Sequence, residues 1–149
     1  MSSKGTGYTL GLGILVAFIG YILWQITIGI DTKSDDITTI LMNSGDGSAM
    51  IKTASILICI GMVVHIVGLV STKGTAAGTM ETIGIYSIVT AIALWITNIG
   101  LGLSLAEMGE KFSAAMAGGD AATAGTIATA AGFSQAANVA TSTMGALFA

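Results

Sequence analysis

Residues 7–30 (GYTLGLGILVAFIGYILWQITIGI), 51–70 (IKTASILICIGMVVHIVGLV) and 82–105 (TIGIYSIVTAIALWITNIGLGLSL) contain one charged side chain between them, Lys52 at the edge of the second. Each reaches the length, about 20 apolar residues, at which a helix crosses the ~30 Å hydrocarbon core of a bilayer. Lipid offers nothing to satisfy a backbone N–H or C=O, so such stretches must close their hydrogen bonds internally as helices. The sequence predicts an all-α integral membrane protein with three transmembrane helices in a small bundle, residues 7–105. A short tail, 1–6, precedes the bundle, and an Ala/Gly/Thr-rich segment, 106–149, follows it.

Composition agrees. Hydrophobic residues make up 53% of the chain and charged residues 9%, against roughly 25% charged in a soluble domain. The net charge is −3 and arginine is absent, which argues against a nucleic-acid partner because the phosphate-forking side chain is missing. The single cysteine, Cys59, lies inside the second span, so no intrachain disulfide is possible. Lys4 precedes the first apolar run as in a signal peptide, but the run outlasts a signal core of about 7–15 residues and shows no small-x-small cleavage pattern before Asp31. It reads as a retained first helix. Proline is absent, and with it the usual sequence mark of a kinked or broken span.

Between the first two spans, Asp31, Asp35, Asp36 and Asp46 face Lys33 alone. Residues 36–42 predict a short interfacial helix capped by Ser34 or Asp35, and the run Asn43 to Ser48 reads as a turn. The acidic loop lacks the alternate-position ligands and closing glutamate of an EF-hand, so it reads as solvated. A short connection, Thr75–Met80, makes spans two and three an antiparallel hairpin expected to pack directly. After Leu105, Glu107, Glu110 and Lys111 signal an exit from lipid, and Gly118-Gly119-Asp120 a break. The uncharged segment 121–149 is long enough for a fourth span but diluted by Thr, Ser, Gln and Asn, which leaves a fourth span, a surface or partner-bound helix and disorder as its readings. Lysine placement is almost balanced; it puts the N-terminus inside, in a cell membrane, with the acidic loop outside.

Two small-residue seams at heptad spacing are candidate helix-packing sites: Ala54, Gly61 and Gly68 in the second span, and Gly84, Ala91 and Asn98 in the third. Without water to drive apolar faces together, close backbone approach must hold such helices, and small residues permit it. Gly7 with Gly11, and Gly13 with Ala17, add similar spacings to the first span. His65, Met62 and Cys59 share one broad face of the second span and are the candidate metal ligands. One histidine is too few for most metal sites, and a structural hydrogen bond, with Asn98 as the expected partner, is the competing role. No catalytic constellation is present, and no cofactor is expected beyond bound lipid. The function expected by elimination is a non-catalytic accessory subunit of a larger membrane complex of respiratory, photosynthetic or monooxygenase type, with other membrane subunits, or copies of itself, as partners. The alternatives are a small transporter or channel component in which His65 responds to protons, and a self-assembling structural protein of pilin or virion kind.

Overall fold

The computed structural model describes residues 3–75 and 78–149. Met1 and Ser2 of the expected tail, and Ala76 and Ala77 of the expected connection, lie outside the described residues. The described chain is all-helical: α1 (Ser3–Ile28), α2 (Ile37–Asp46), α3 (Ser48–Val70), α4 (Thr79–Ala117) and α5 (Ala121–Phe148). Three of these, α1, α3 and α4, are long and apolar enough to cross a membrane.

Packing inverts the pattern of a water-soluble protein. In α1, the large side chains Leu12, Ile14, Leu15, Phe18, Ile19, Ile22 and Ile26 are exposed, as suits a solvent of acyl chains, while Gly13 and Gly20 turn inward. Gly13 and Gly20 lie against α3, where an added Cβ at Gly13 would come within 2.5 Å of the His65 backbone nitrogen and one at Gly20 within 2.7 Å of the Ala54 carbonyl oxygen. From the other side, Gly61 meets Gly13 and Ala17, and Gly68 meets Thr9 and Leu10. The helices therefore touch backbone to backbone, an arrangement that dispersion can stabilise only where side chains are small.

The α3 and α4 helices pack on each other as expected, but α3 packs more extensively on α1. The Ala54–Gly61–Gly68 face of α3 packs on α1 and not on the following helix, because Gly13 and Gly20 give α1 a matching smooth stripe, whereas Gly84 of α4 has open space beside it. The α3 and α4 helices do meet near one end, where Lys52 Nζ sits 2.9 Å from Glu107 and 3.1 Å from Glu110.

The α4 helix does not stop at the lipid boundary. Its 39 residues make a rod of about 58 Å, nearly twice the hydrocarbon thickness, and the end carrying Glu107, Glu110 and Lys111 projects beyond the apolar part. There it meets α2 and the first half of α5 in a small cap whose buried core is Ile40, Leu41, Leu105, Phe112, Ala124 and Ala131. Gly45 and Gly109 let α2 and α4 approach closely, a Cβ on Gly45 falling 2.6 Å from the Gly109 carbonyl carbon. Residues 43–46 belong to α2 and are not a turn; the chain bends at Gly47.

The same local device starts α2 and α5. Asp36 accepts from the Thr39 backbone N–H at 3.1 Å and from its hydroxyl at 2.8 Å, so the cap is Asp36 and not Ser34 or Asp35. Asp120 does the same with Thr123, at 3.0 and 2.6 Å. In both cases the threonine hydroxyl, followed by the backbone N–H, holds the carboxyl below its ordinary pKa.

The segment read as span, surface helix or disorder is one helix, folded back antiparallel along α4. Gly145 lies against the Trp95 ring, and Phe148 reaches Thr82, Ile83 and Tyr86, so the second half of α5 runs beside the apolar stretch of α4. Its threonines are less polar than their count implies. Thr126, Thr129, Thr141 and Thr143 each donate to the carbonyl four residues back, at 2.8 to 3.0 Å, which satisfies the hydroxyl within the helix.

Candidate functional site: an uncharged polar chamber

Where the spans meet the cap, α1, α2, α4 and α5 line a half-open cavity of about 270 Å³. The end of α1 supplies Tyr21, Trp24 and Gln25, the following loop Thr32 and Ser34, α2 Ser44, α4 Asn98, and α5 Gln135, Asn138 and Ser142. Ile28, Ile40, Gly102 and Leu105 complete the wall. Ten of these fourteen residues have polar side chains and none is charged.

Local structure explains how they converge. Gln135, Asn138 and Ser142 are spaced i, i+3 and i+7, which places them on one face of α5, the side on which Ala131 and Gly145 are buried. Asn98 stands one heptad from both Ala91 and Leu105, buried residues of α4. Gly102 makes room for the Trp24 indole, which a Cβ there would strike, with the ring Cη2 at 2.6 Å. At the upper rim, Asn43 donates to the Ile28 carbonyl oxygen at 2.6 Å and Thr32 to the same oxygen at 2.9 Å, tying the loop to the end of α1. Gln25 donates to the Tyr21 hydroxyl at 2.5 Å.

Three polar atoms of the wall remain without a hydrogen-bond partner in the chain: Trp24 Nε1, Ser44 Oγ and Asn98 Oδ1. All three are buried, and Ser44 is 0% exposed. An unsatisfied buried polar group costs roughly 1–3 kcal/mol, and each of these three atoms lies behind the chamber's surface, with under 1 Å² of accessible area.

The residues singled out from the sequence fall in several places. Ala54, Gly61 and Gly68 line the α1 contact. Ala91 is buried within the bundle, Gly84 faces open space, and Asn98 belongs to the chamber. Asn98 is not the partner of His65. The His65 Nδ1 instead lies 3.0 Å from the Leu10 carbonyl oxygen of α1; a carbonyl only accepts, so Nδ1 carries the proton and donates. The physical reason is the seam itself, since the close α1–α3 approach puts an α1 carbonyl within reach of the ring. Met62 and Cys59 stay with His65 on α3, and among the described residues no group of three His, Cys, Asp or Glu side chains comes together.

Trp24, Ser44, Gln135, Asn138 and Ser142 were not separable in the sequence as a site. The polar residues of α5 signalled only that the segment was diluted for a span, although their shared face was readable from the i, i+3, i+7 spacing. No protein-family model matches this chain, and no similar curated protein or solved structure was found.

Proposed function

We propose that this chain is a non-catalytic, membrane-embedded subunit that assembles with other membrane helices, chiefly through the outer face of α5. The observation carrying this reading is the outer stripe of that helix. Ala122, Thr126, Thr129, Phe133, Ala136, Ala140, Thr143 and Leu147 are all exposed and alternate in steps of four and three, the period at which one helix seats against another. The opposite stripe, Ala124, Ala131 and Gly145, is the one buried within the chain. A helix with small residues on both faces is suited to lie between two neighbours, of which α4 is one. Phe133, 76% exposed, and Leu147, 81% exposed, are the large side chains that would fill gaps in a second.

The proposed setting is the cell membrane with the N-terminus inside, so that Lys4 and Lys73 flank the inner surface and the acidic cap lies outside. Thiol labelling of single cysteines at positions 4 and 35 in intact cells tests this orientation.

Purification in a mild detergent followed by native mass spectrometry tests the assembly. Unlike subunits are expected to accompany the chain, and Ala136→Leu together with Ala140→Leu should release them while leaving the helix content unchanged. A complex of identical chains would turn the proposal toward self-assembly. A monomer indifferent to both substitutions would refute it.

A further inference from the structure

We infer that the groove between α3 and α4 seats one acyl chain of a phospholipid whose headgroup carries a primary ammonium, as in phosphatidylethanolamine, and that Lys52, Glu107 and Glu110 hold that headgroup. This rests on residence in a bilayer but not on subunit assembly, since no residue of α5 lines the groove. The groove is open, has a volume of about 400 Å³ and is lined by Lys52, Ser55, Ile56, Cys59, Ile60 and Leu103. No polar atom contributes surface to its wall, so Lys52 presents its aliphatic stem there and carries its ammonium beyond the rim. In the hydrocarbon core of a bilayer, an acyl chain is what fills such a surface.

The course of the groove fits that occupant. On α3, Lys52, Ile56 and Ile60 stand four residues apart and form one row, about 12 Å long, in which Ile56 and Ile60 are 60% and 54% exposed. On α4, Leu103 precedes Glu107 by four residues and lies one turn deeper in the span. The groove therefore starts at the charged cluster, where the spans meet the cap, and runs toward the bilayer midplane, as an acyl chain does below a headgroup at the interface.

The charges at its mouth select the headgroup. Lys52 Nζ lies 2.9 Å from Glu107 and 3.1 Å from Glu110, so one ammonium serves two carboxylates. Asp46 and Lys111 flank the cluster, one of each sign: Asp46 follows Gly45, which packs on Gly109 and Glu110, and Lys111 follows Glu110. The surplus of one negative charge stands with both included. The three paired side chains are 42% to 54% exposed, so a headgroup reaches them. A primary ammonium supplies the missing cation together with three N–H donors, and the phosphate beside it offers Lys52 an acceptor. An anionic headgroup such as phosphatidylglycerol adds negative charge to a site already in surplus. The quaternary ammonium of phosphatidylcholine brings the charge but no N–H to donate.

The test titrates the full chain, purified in a mild detergent, with phosphatidylethanolamine, phosphatidylcholine or phosphatidylglycerol of identical acyl chains, and counts bound lipids by native mass spectrometry. One phosphatidylethanolamine is expected to bind saturably, about tenfold more tightly than either of the others. Glu107→Gln combined with Glu110→Gln should erase that preference, and Ile60→Trp, which fills the groove, should weaken phosphatidylethanolamine binding about tenfold. Circular dichroism identifies which variants keep their fold, and the comparison of three lipids on the parent chain needs none of them. Equal affinity for the three lipids, or tighter binding of either of the others, overturns the inference. So does a preference unchanged in the folded double glutamine variant, or binding unchanged in folded Ile60→Trp.

Discussion

Replacing Gly13 with alanine tests the α1–α3 contact most directly. The new Cβ would fall 2.5 Å from the His65 nitrogen, 2.7 Å from the Gly61 oxygen and 2.8 Å from the His65 Cα. All three are backbone atoms, so no side chain can rotate away, and the helices must part by roughly 1 Å, a gap that forfeits a quarter to a half of the local dispersion energy. Overpacking of this kind costs about 1–3 kcal/mol. The separation also strains the His65–Leu10 bond, a contact of about 0.6 kcal/mol in membrane proteins. Alanine recovers up to ~1 kcal/mol through its better helix propensity. The net expectation is a loss of about 2 kcal/mol, near a thirtyfold fall in the folded-to-unfolded ratio. Gly11→Ala is the matched control, since nothing lies within 4 Å of its added Cβ, and it should be neutral or mildly stabilising. Equilibrium unfolding in mixed micelles, followed by tryptophan emission, measures both. If Gly13→Ala is as stable as the parent, or Gly11→Ala is equally damaging, backbone contact is not what holds α1 to α3.

Leu41→Ala, at a 0% exposed position in the cap, should cost about 2–5 kcal/mol, with faster hydrogen exchange in α2 and little change in α1. Asp36 and Asp120 have pKa values lowered in the folded state, so their capping stability is present above the unfolded carboxyl pKa of about 3.9 and is lost as pH falls through the folded value. Helix content in the cap should therefore drop under acid, and Asp120→Ala should flatten that dependence in a circular dichroism titration. His65→Leu removes the bond to Leu10 and should destabilise less than Gly13→Ala, with no change in metal content by elemental analysis.

The spans were legible because lipid imposes a coarse and unforgiving rule on length and charge, and residues 7–30, 51–70 and 82–105 obey it apart from Lys52 at one edge. Which helix would meet which was harder. The spacing of Ala54, Gly61 and Gly68 identifies a smooth face but carries no address, and Gly13 with Gly20 offers the same spacing as Gly84 with Ala91. The cap was hidden for a different reason. Its core joins Leu41, Leu105, Phe112 and Ala131, residues from three separated helices; α2 is amphipathic, but α4 and α5 show little amphipathic pattern to mark the faces it meets. The α5 inner stripe, Ala124, Ala131, Asn138 and Gly145, repeats every seven residues and was visible in principle, but small residues are so common here that the repeat did not stand out. The chamber depends on that stripe and on α2, and so it emerged only with the three-dimensional arrangement.

The unbroken length of α4 has a mechanical consequence. A continuous helix of about 58 Å carries a tilt along its length, and each ~10° of tilt at its membrane end displaces the far end by roughly 10 Å. The helix is continuous from Thr79 to Ala117, so it provides no joint at which such a movement would dissipate. Changes in bilayer thickness, or in a neighbour pressing on the spans, would therefore arrive at the cap as a swing, and the walls of the chamber, which α4 passes beyond its midpoint, would open or close with it.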